Sequence, residues 1–357
     1  MSIPDLDAHL LQLGALPQHR SRVLRHWLQA LPLEHGRRPL QGFLPKALHE
    51  ALPELLARWN GQLSLHAREG AADGSERLLW LLQDGQSVES VLLPPRAKSW
   101  GLCVSSQVGC AVGCGFCMTG QGGLIRQLSA LEILAQVARA RQMRAVNKVV
   151  FMGMGEPAHN LDAVLAAIEA LGSEGGFAHK QLVFSTVGDE RVFPRLHAAR
   201  VKPALALSLH TTKPQLRREL LPRAPALEPA WLVEQADAYA RASGYPLQLQ
   251  WTLLEGVNDA EEEAIVALLK GRYALLNLIP FNTVPGLPYR RPSWDAARQL
   301  AARLTQQGVL TKLRDSAGQD VEGGCGQLRA RIQAERPIKI QRAKPSSVSP
   351  ATEPSSA

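Results

Sequence analysis

Three cysteines in a short glycine-rich segment carry the clearest chemical signal of the sequence. They stand in the order Cys110-Ala-Val-Gly-Cys114-Gly-Phe-Cys117, a CxxxCxxC spacing. Structural zinc sites normally use four protein ligands, and no histidine lies between His66 and His159 to complete such a set. Iron–sulfur clusters are held by cysteine thiolates, usually four. Three local thiolates therefore favour a cluster with one iron left open to another molecule, the alternative being three buried structural cysteines.

The two remaining cysteines, Cys103 and Cys325, are candidates for nucleophilic chemistry. Cys325 lies in a Gly-Gly-Cys-Gly segment that is flexible enough to approach a site and withdraw. Cys103 lies on the predicted strand that enters the cluster segment. A nucleophilic cysteine must be accessible and able to form a thiolate. For Cys103 alone, a buried strand cysteine is an equally ordinary interpretation, and an odd total of five cysteines argues against a disulfide framework.

Composition indicates a globular protein with a basic surface. The chain has 357 residues, of which 45% are hydrophobic and 20% charged, and its formal net charge is +8. It contains no apolar run long enough to span a membrane, and Asp5 and Asp7 argue against a secretory signal, so we expect a cytoplasmic protein without a membrane partner. Basic residues cluster near both ends of the chain, which predicts a nucleic-acid partner, with an ordinary basic surface as the alternative. These residues are Arg20, Arg22, Arg25, Arg37 and Arg38 near the start and Arg329, Arg331, Arg336, Lys339, Arg342 and Lys344 near the end.

Hydrophobic patterning predicts the elements that must position these residues. Helical spacing of apolar residues dominates the first part of the chain, and a hairpin follows with strands over Glu76–Leu82 and Ser87–Leu93. From Leu102 onward, apolar runs alternate with amphipathic helical patterns, which favours an α/β fold built as a full or partial β/α barrel over an open doubly wound sheet. The predicted strands are Leu102–Ser106, Lys148–Met152, Gln181–Ser185, Ala204–Leu209, Leu247–Leu253, Leu275–Pro280 and Val309–Leu313. The helical patterns between them include Ala130–Arg141, Leu161–Leu171, Pro229–Arg241 and Ala260–Leu269.

The same patterns divide the chain into three parts. Residues 1–95 are expected to form a small N-terminal helical domain with the β-hairpin, which serves RNA binding or merely caps the barrel. Residues 96–335 are expected to form the barrel, and residues 336–357, rich in Ser and Pro, a disordered tail.

Several blocks of the sequence together resemble the RlmN/Cfr family of radical S-adenosylmethionine (SAM) enzymes. CxxxCxxC after a strand is the signature of that superfamily. The narrower resemblance rests on Leu102-Cys-Val-Ser-Ser-Gln-Val-Gly-Cys110, Gly153-Met-Gly-Glu-Pro157, Ser208-Leu-His210, Gly256-Val-Asn-Asp259, Asn277-Leu-Ile-Pro-Phe-Asn282 and Cys325-Gly-Gln-Leu328. It extends over roughly residues 10 to 330 in unbroken order, and it implies methylation of an adenosine ring carbon, C2 or C8, in rRNA or tRNA.

The resemblance also implies cofactors and roles for the cysteines. Cys110, Cys114 and Cys117 would hold a [4Fe–4S] cluster that binds SAM at its open iron. Two SAM molecules would be used in each turnover, because Cys325 would first take a methyl group and become S-methylcysteine. Cys103 would resolve the covalent RNA intermediate by forming a transient disulfide with Cys325. An electron donor such as flavodoxin or ferredoxin is implied, and we expect a monomer.

The remaining site residues are also assigned by resemblance. Glu89 matches the position of the proton acceptor, with an exposed strand glutamate as the alternative. The expected SAM-binding residues are Gly155, Glu156, Ser185, Ser208, Leu209, His210 and Asn282. Most of these residues follow predicted strands and would therefore gather at one rim of a barrel.

Two segments depart from the family pattern. Met118 to Gln127 differs from the usual sequence after the cluster cysteines, and Phe184 to Glu190 lacks the usual Ser-Thr-Ser-Gly. These departures leave all five cysteines in place but put the RNA target in question, as in a divergent paralogue. The alternative functions are a radical SAM enzyme that modifies a protein or small molecule, and a non-catalytic iron–sulfur protein that binds RNA.

Overall fold

The computed structural model describes residues 3–32, 42–96 and 99–329. The predicted tail, 336–357, and the basic residues Arg37, Arg38 and those beyond Arg329 lie outside the described residues. The helices are α1 (Ile3–Gln12), α2 (Pro17–Leu28), α3 (Lys46–Asn60), α4 (Met118–Gln121), α5 (Ala130–Arg141), α6 (Leu161–Ser173), α7 (Val192–Ala198), α8 (Pro214–Leu220), α9 (Pro229–Ser243), α10 (Glu262–Leu269) and α11 (Trp294–Gln306). The strands are β1 (Leu63–Gly70), β2 (Glu76–Leu82), β3 (Ser87–Arg96), β4 (Ser99–Cys103), β5 (Gln107–Gly109), β6 (Leu124–Gln127), β7 (Val146–Phe151), β8 (Leu182–Thr186), β9 (Ala204–Ser208), β10 (Leu247–Leu253), β11 (Ala274–Pro280) and β12 (Thr311–Leu313).

One sheet of ten strands organises the molecule, in the order β1-β2-β3-β4-β7-β8-β9-β10-β11-β12. The strands from β4 to β12 in this list are parallel to their neighbours and follow the order of the chain. A doubly wound sheet reverses its strand order at a switch point, and no reversal occurs here. The predicted partial β/α barrel is therefore confirmed, and β12 and β4 at its two ends are not paired with each other among the described residues.

The N-terminal hairpin is an extension of the barrel sheet. Strands β1, β2 and β3 form an antiparallel meander, and β3 pairs with β4 across Val91↔Cys103 and Leu92↔Leu102. The hairpin β2–β3 was predicted, but β1 was not. Its first six residues alternate apolar and polar, Leu63-Ser-Leu-His-Ala-Arg68, but the alternation is short and most of the strand is exposed.

The barrel strands match the predicted ones with shifts at their ends. The largest shift is at β4, which was expected over Leu102–Ser106 and instead ends at Cys103. Ser105 and Ser106 do not pair with a neighbouring strand, because they hydrogen-bond to loop residues instead. The Ser106 amide, for example, donates to the Met154 carbonyl at 2.8 Å. The predicted helices over Ala130–Arg141, Leu161–Leu171, Pro229–Arg241 and Ala260–Leu269 are present, as α5, α6, α9 and α10.

Apolar packing joins the N-terminal helices to the barrel in one continuous core. Helices α2 and α3 pack on α5, and the rings of Trp27 and Trp59 meet with centroids 5.2 Å apart. The barrel strands β8 and β9 are buried along almost their whole length, as expected for parallel strands covered by helices. None of the helices in the described part of the chain combines the length and the hydropathy needed to cross a bilayer.

Gln136 of α5 fixes the backbone at the start of the cluster segment. Helix α5 begins with a capping box in which Ser129 and Glu132 exchange hydrogen bonds, so its register is well defined. The fully buried Gln136 side chain donates to the Ser105 carbonyl at 2.9 Å and accepts from the Ser105 amide at 2.9 Å. It also accepts from the Ser90 hydroxyl at 2.7 Å.

Gln136→Leu is expected to destabilise the protein. The substitution leaves the buried amide and carbonyl of Ser105 without partners, and each unpaired group costs about 1–3 kcal/mol. We expect the free energy of unfolding in urea to fall by about 2–4 kcal/mol. The exposed Gln142, just after the same helix, offers a matched control, because Gln142→Leu should change stability by less than about 0.5 kcal/mol. Equal effects of the two substitutions would contradict this account.

Candidate active site

The carboxyl ends of the parallel strands bring the predicted site residues to one rim. β4 ends at Cys103, and β7 leads into Gly155 and Glu156. Ser185 is the next-to-last residue of β8, and β9 ends at Ser208, which is followed by Leu209 and His210. β11 leads to Asn282, and the chain after β12 reaches Cys325. Since neighbouring strands are parallel, their ends lie on the same side of the sheet, which is where β/α barrels carry their functional residues.

The three cluster cysteines lie together in the loop after β5. Their closeness is visible in their acidities, because the thiolates of Cys117 and Cys110 both raise the pKa of Cys114 in addition to the larger effect of burial. Burial raises the pKa of Cys110 to about 12, although the backbone amides of Val112 and Gly113 oppose the shift. The loop therefore holds Cys110 and Cys114 where a thiolate is disfavoured until a cation is bound.

The structure is compatible with an iron–sulfur cluster at these cysteines. In the described ranges, no three His, Cys, Asp or Glu side chains are close enough to ligate a single metal ion. Three soft thiolate donors with no fourth protein ligand fit a cluster of several irons, each thiolate bound to a different one. Gly115 permits this loop to pack closely, since a Cβ there would lie 2.8 Å from the Tyr289 hydroxyl.

The segment that carries Cys325 docks directly on the cluster loop. The amide of Met118 donates to the Gly326 carbonyl at 2.7 Å, and the Thr119 hydroxyl donates to the Leu328 carbonyl at 2.6 Å. A Cβ at Gly326 would lie 3.1 Å from the Phe116 carbonyl oxygen. The two segments are about 200 residues apart in the sequence, but the fold brings the Cys325 segment against the cluster loop.

Cys325 and Cys103 are close enough to influence each other. Burial raises the pKa of the Cys103 thiol well above its usual value, and the Cys325 thiolate is the next largest cause. Cys325 is exposed, yet the surrounding protein raises its pKa as well, against the lowering effects of Ser316 and Arg314. Cys103 is only half-buried, and the two thiols are not joined in this structure.

Asn282 holds the Cys325 segment from the other side. Its side-chain amide donates to the Cys325 carbonyl at 2.9 Å, and its own carbonyl oxygen accepts from Arg291 at 3.2 Å. Sequence reasoning assigned Asn282 to SAM binding. The structure places it at the expected rim, with both ends of its side chain bonded to protein.

Gly155 and Glu156 form a tight turn after β7. Gly155 has φ +106°, and a Cβ there would lie 2.6 Å from the side chain of Gln107, so the turn requires glycine. The Glu156 amide donates to Gln107 at 2.7 Å, and its carboxylate accepts from the amides of Ala158 at 3.0 Å and Val187 at 3.0 Å. Burial raises the pKa of Glu156 to about 7 despite these hydrogen bonds and one from Thr186.

His210 is buried in a conformation that few side chains adopt. It has φ +65°, and its ring meets Phe116 of the cluster loop with centroids 4.8 Å apart. Its Nδ1 accepts from the Thr252 amide at 3.0 Å, so the ring is neutral, and burial lowers its pKa to about 3. The preceding Leu209 is fully buried, so only its backbone is available to a ligand.

The two serines of the expected SAM set lie one strand apart. Ser185 is buried near the end of β8 and Ser208 is half-buried at the end of β9, in neighbouring parallel strands. Their hydroxyl groups are therefore placed on the same rim as Glu156 and His210.

Glu89 is fully buried rather than exposed on its strand. Its carboxylate accepts from the guanidinium of Arg77 at 2.6 Å and from the amide of Arg329 at 2.8 Å. Arg77 also pairs with Glu69 at 2.6 Å. The position brings Glu89 against the chain that follows Cys325, with both carboxylate oxygens already accepting hydrogen bonds.

Several residues of the site were missed by sequence reasoning. Gln107 supports Gly155 and Glu156, Arg77 pairs with Glu89, and Arg291 supports Asn282. Arg217 is buried and bonds to the carbonyl of Val187. Only Gln107 lay within a segment that the sequence had marked, the Ser-Ser-Gln-Val-Gly block before Cys110.

Comparisons with known proteins find relatives over almost the whole chain. A family model described as the radical SAM superfamily matches residues 104–269. A protein of Methylibium petroleiphilum named Probable RNA methyltransferase is 63% identical, with 96% of each chain covered. A protein of Thiobacillus denitrificans with the same name is 58% identical over 100% of this chain and 98% of that one. A solved radical SAM methyltransferase from Sphaerobacter thermophilus has a TM-score of 0.77 and 33% identity, covering 92% of this chain and 98% of the other.

The buried neutral His210 predicts a loss of stability in acid. Its pKa is lowered from 6.5 to about 3 in the folded state, so below pH 6.5 the unfolded chain binds a proton that the folded chain does not. This contribution to stability is fully present above pH 6.5 and is lost as the pH falls towards 3. The loss at pH 5.5 is about 1.4 kcal/mol. His210→Asn keeps an acceptor and tolerates positive φ. The free energy of unfolding is measured in urea at pH 7.5 and 5.5. Its decrease between these two pH values should be about 1.4 kcal/mol smaller in His210→Asn than in the unmodified protein.

The exposed His66 supplies the control for this measurement. His66→Asn should leave the dependence of stability on pH as it is in the unmodified protein. An unchanged dependence in His210→Asn would show that His210 is not the group responsible.

Proposed function

Because this chain belongs to the radical SAM RNA methyltransferases, we propose that it methylates an adenosine ring carbon, C2 or C8, in ribosomal or transfer RNA through a methyl group carried on Cys325. Membership of the family implies a [4Fe–4S] cluster and SAM. The observation that best supports a carrier cysteine is the docking of the Cys325 segment on the cluster loop, beside Cys103. A radical SAM enzyme that acted only through its cluster would need neither cysteine.

We expect the cofactors to bind among the residues of the rim. Cys110, Cys114 and Cys117 would hold the cluster. The SAM molecule would lie against the turn of Gly155 and Glu156 and the strand ends that carry Ser185, Ser208, Leu209 and His210. When bound, the cluster and SAM would supply a methyl group and a 5′-deoxyadenosyl radical.

Cys325 would act as the carrier because its thiol is exposed at the rim. The thiol loses its proton as the new S–C bond to the methyl group forms. After one hydrogen atom has left the methyl group, its carbon bonds to the adenine ring and joins Cys325 covalently to the RNA. The target base has to be unstacked to reach the barrel mouth.

Glu89 and Cys103 would complete the reaction. The radical adduct has to give one electron to a one-electron acceptor, a role that the [4Fe–4S] cluster would supply, and Glu89 would take the proton from the modified ring carbon. The Cys103 thiolate then attacks the sulfur of Cys325, so an S–S bond forms while the bond from that sulfur to the product carbon breaks. The carbon keeps the electron pair and takes a proton to become the methyl group, and two electrons from a donor such as flavodoxin or ferredoxin restore the thiols.

The two cysteine variants should fail at different stages. Cys325→Ala removes the carrier, so we expect no methylated RNA and no protein–RNA adduct, with iron content and SAM binding unchanged. Cys103→Ala keeps the carrier but not the thiol that releases it, so a covalent protein–RNA adduct should accumulate. Denaturing gel electrophoresis with labelled RNA separates the two outcomes. Methylation by Cys325→Ala at the rate of the unmodified protein would overturn the proposal.

Nucleoside mass spectrometry identifies the substrate. In cells that lack the protein, one methyladenosine in total rRNA or tRNA should disappear, and its retention time and fragmentation distinguish C2 from C8. Expression of the unmodified chain should restore this nucleoside, whereas Cys325→Ala should not. A complete set of methyladenosines in the deletion cells would contradict the proposed substrate.

A further inference from the structure

Arg217 is a buried cation, and one of its hydrogen-bond donors has no acceptor among the described residues. The residue lies in α8 and is 3% exposed. One guanidinium nitrogen donates to the carbonyl of Val187, but the buried Nε has no hydrogen-bond partner among the described residues. A buried donor without an acceptor costs about 1–3 kcal/mol, and such groups in native proteins have a reason such as strain, a catalytic role, or a water or ion that binds there.

Arg217 lies in the same part of the rim as Glu156. The Val187 residue joins them, because its amide donates to the Glu156 carboxylate at 3.0 Å while its carbonyl accepts from Arg217. The negative charges of Cys114 and Glu156 also act on the guanidinium, and burial lowers the pKa of Arg217 to about 10 against their effect. Arg217 is therefore within electrostatic reach of both the carboxylate and the cluster loop.

The two opposite charges do not neutralise each other directly. Arg217 and Glu156 form no ion pair in the described part of the chain, and each bonds instead to the backbone of Val187. A ligand with one ammonium and one carboxylate group would satisfy both. The α-amino acid end of SAM has this pair of charges on a single carbon.

We propose that Arg217 binds the carboxylate group of SAM while Glu156 faces its ammonium group. The proposal rests on the proposed function only for the identity of the cofactor, and it adds a residue that the family resemblance did not supply. A charge-assisted hydrogen bond from the guanidinium would also satisfy the unpaired Nε.

A comparison of two ligands and four proteins tests the role of Arg217. Binding of SAM and of decarboxylated SAM is measured without oxygen and without RNA, by equilibrium dialysis on the iron-loaded protein. Arg217→Met should weaken SAM binding about 10- to 100-fold and change binding of the decarboxylated ligand less than about threefold. Arg217→Lys keeps the charge and should show an intermediate loss. Arg218→Met is the matched control, because Arg218 is the exposed neighbour on the same helix, and it should leave both affinities unchanged.

Two results of the binding assay, and one of the iron loading that precedes it, would overturn the proposal. One is an equal change in the affinities for the two ligands, and the other is unchanged SAM affinity in Arg217→Met. If neither Arg217 variant takes up iron, Arg217 is a charge partner of the cluster rather than a SAM residue, which is also a negative result. The measured quantity is ligand affinity and not methylated RNA, so the assay can fail while Cys325 still carries the methyl group, and it can succeed when methylation of RNA fails.

Discussion

The common direction of the barrel strands is the constraint on which the site depends. Cys103, the cluster cysteines and Cys325 lie on segments separated by up to about 200 residues, and hydrogen bonding between parallel strands returns each segment to the same rim. The order β4-β7-β8-β9-β10-β11-β12 also fixes which segments are neighbours. Any strand running in the opposite direction would place its loop at the far end, away from the sulfurs.

The docked position of the Cys325 segment is held by hydrogen bonds that are individually weak. Met118, Thr119 and Asn282 each donate to a backbone carbonyl of this segment, and such bonds contribute about 0.5–1.5 kcal/mol when water can replace them. The segment can therefore leave the rim at modest cost. Its departure would also withdraw the Arg329 amide from Glu89 and free one carboxylate oxygen. In the proposed mechanism, movement of Cys325 and availability of Glu89 as a base would be linked through this one hydrogen bond.

Sequence patterning predicted the parallel strands and the rim well because buried strands and amphipathic helices have strong periodicity. Strand β10 was predicted with its observed ends, and α5 likewise. Edge strand β1 was missed although Leu63 to Arg68 alternate apolar and polar, because the alternation is short and ends in Glu69 and Gly70. The partners of the site residues were also missed. Arg77, Arg217 and Arg291 look like ordinary basic residues in sequence, and only the fold reveals that Arg217 is buried or that Arg77 lies against Glu89.

The charges at the rim are balanced only when its ligands are present. Without ligands, burial keeps the proton on Cys110. The raised pKa values of about 12 for Cys110 and about 7 for Glu156 both reflect the free-energy cost of burying a negative charge. Iron ligation requires thiolates, so loading of the cluster must displace these protons, and the energy of the metal–sulfur bonds has to exceed that cost. Once the thiolates are bound, Glu156 and Arg217 remain as opposite charges in a buried site, each bonded to Val187 but not to the other. A zwitterion is the simplest ligand that lowers the electrostatic energy of both, and the rim is therefore better suited to an amino acid group than to a simple anion or cation.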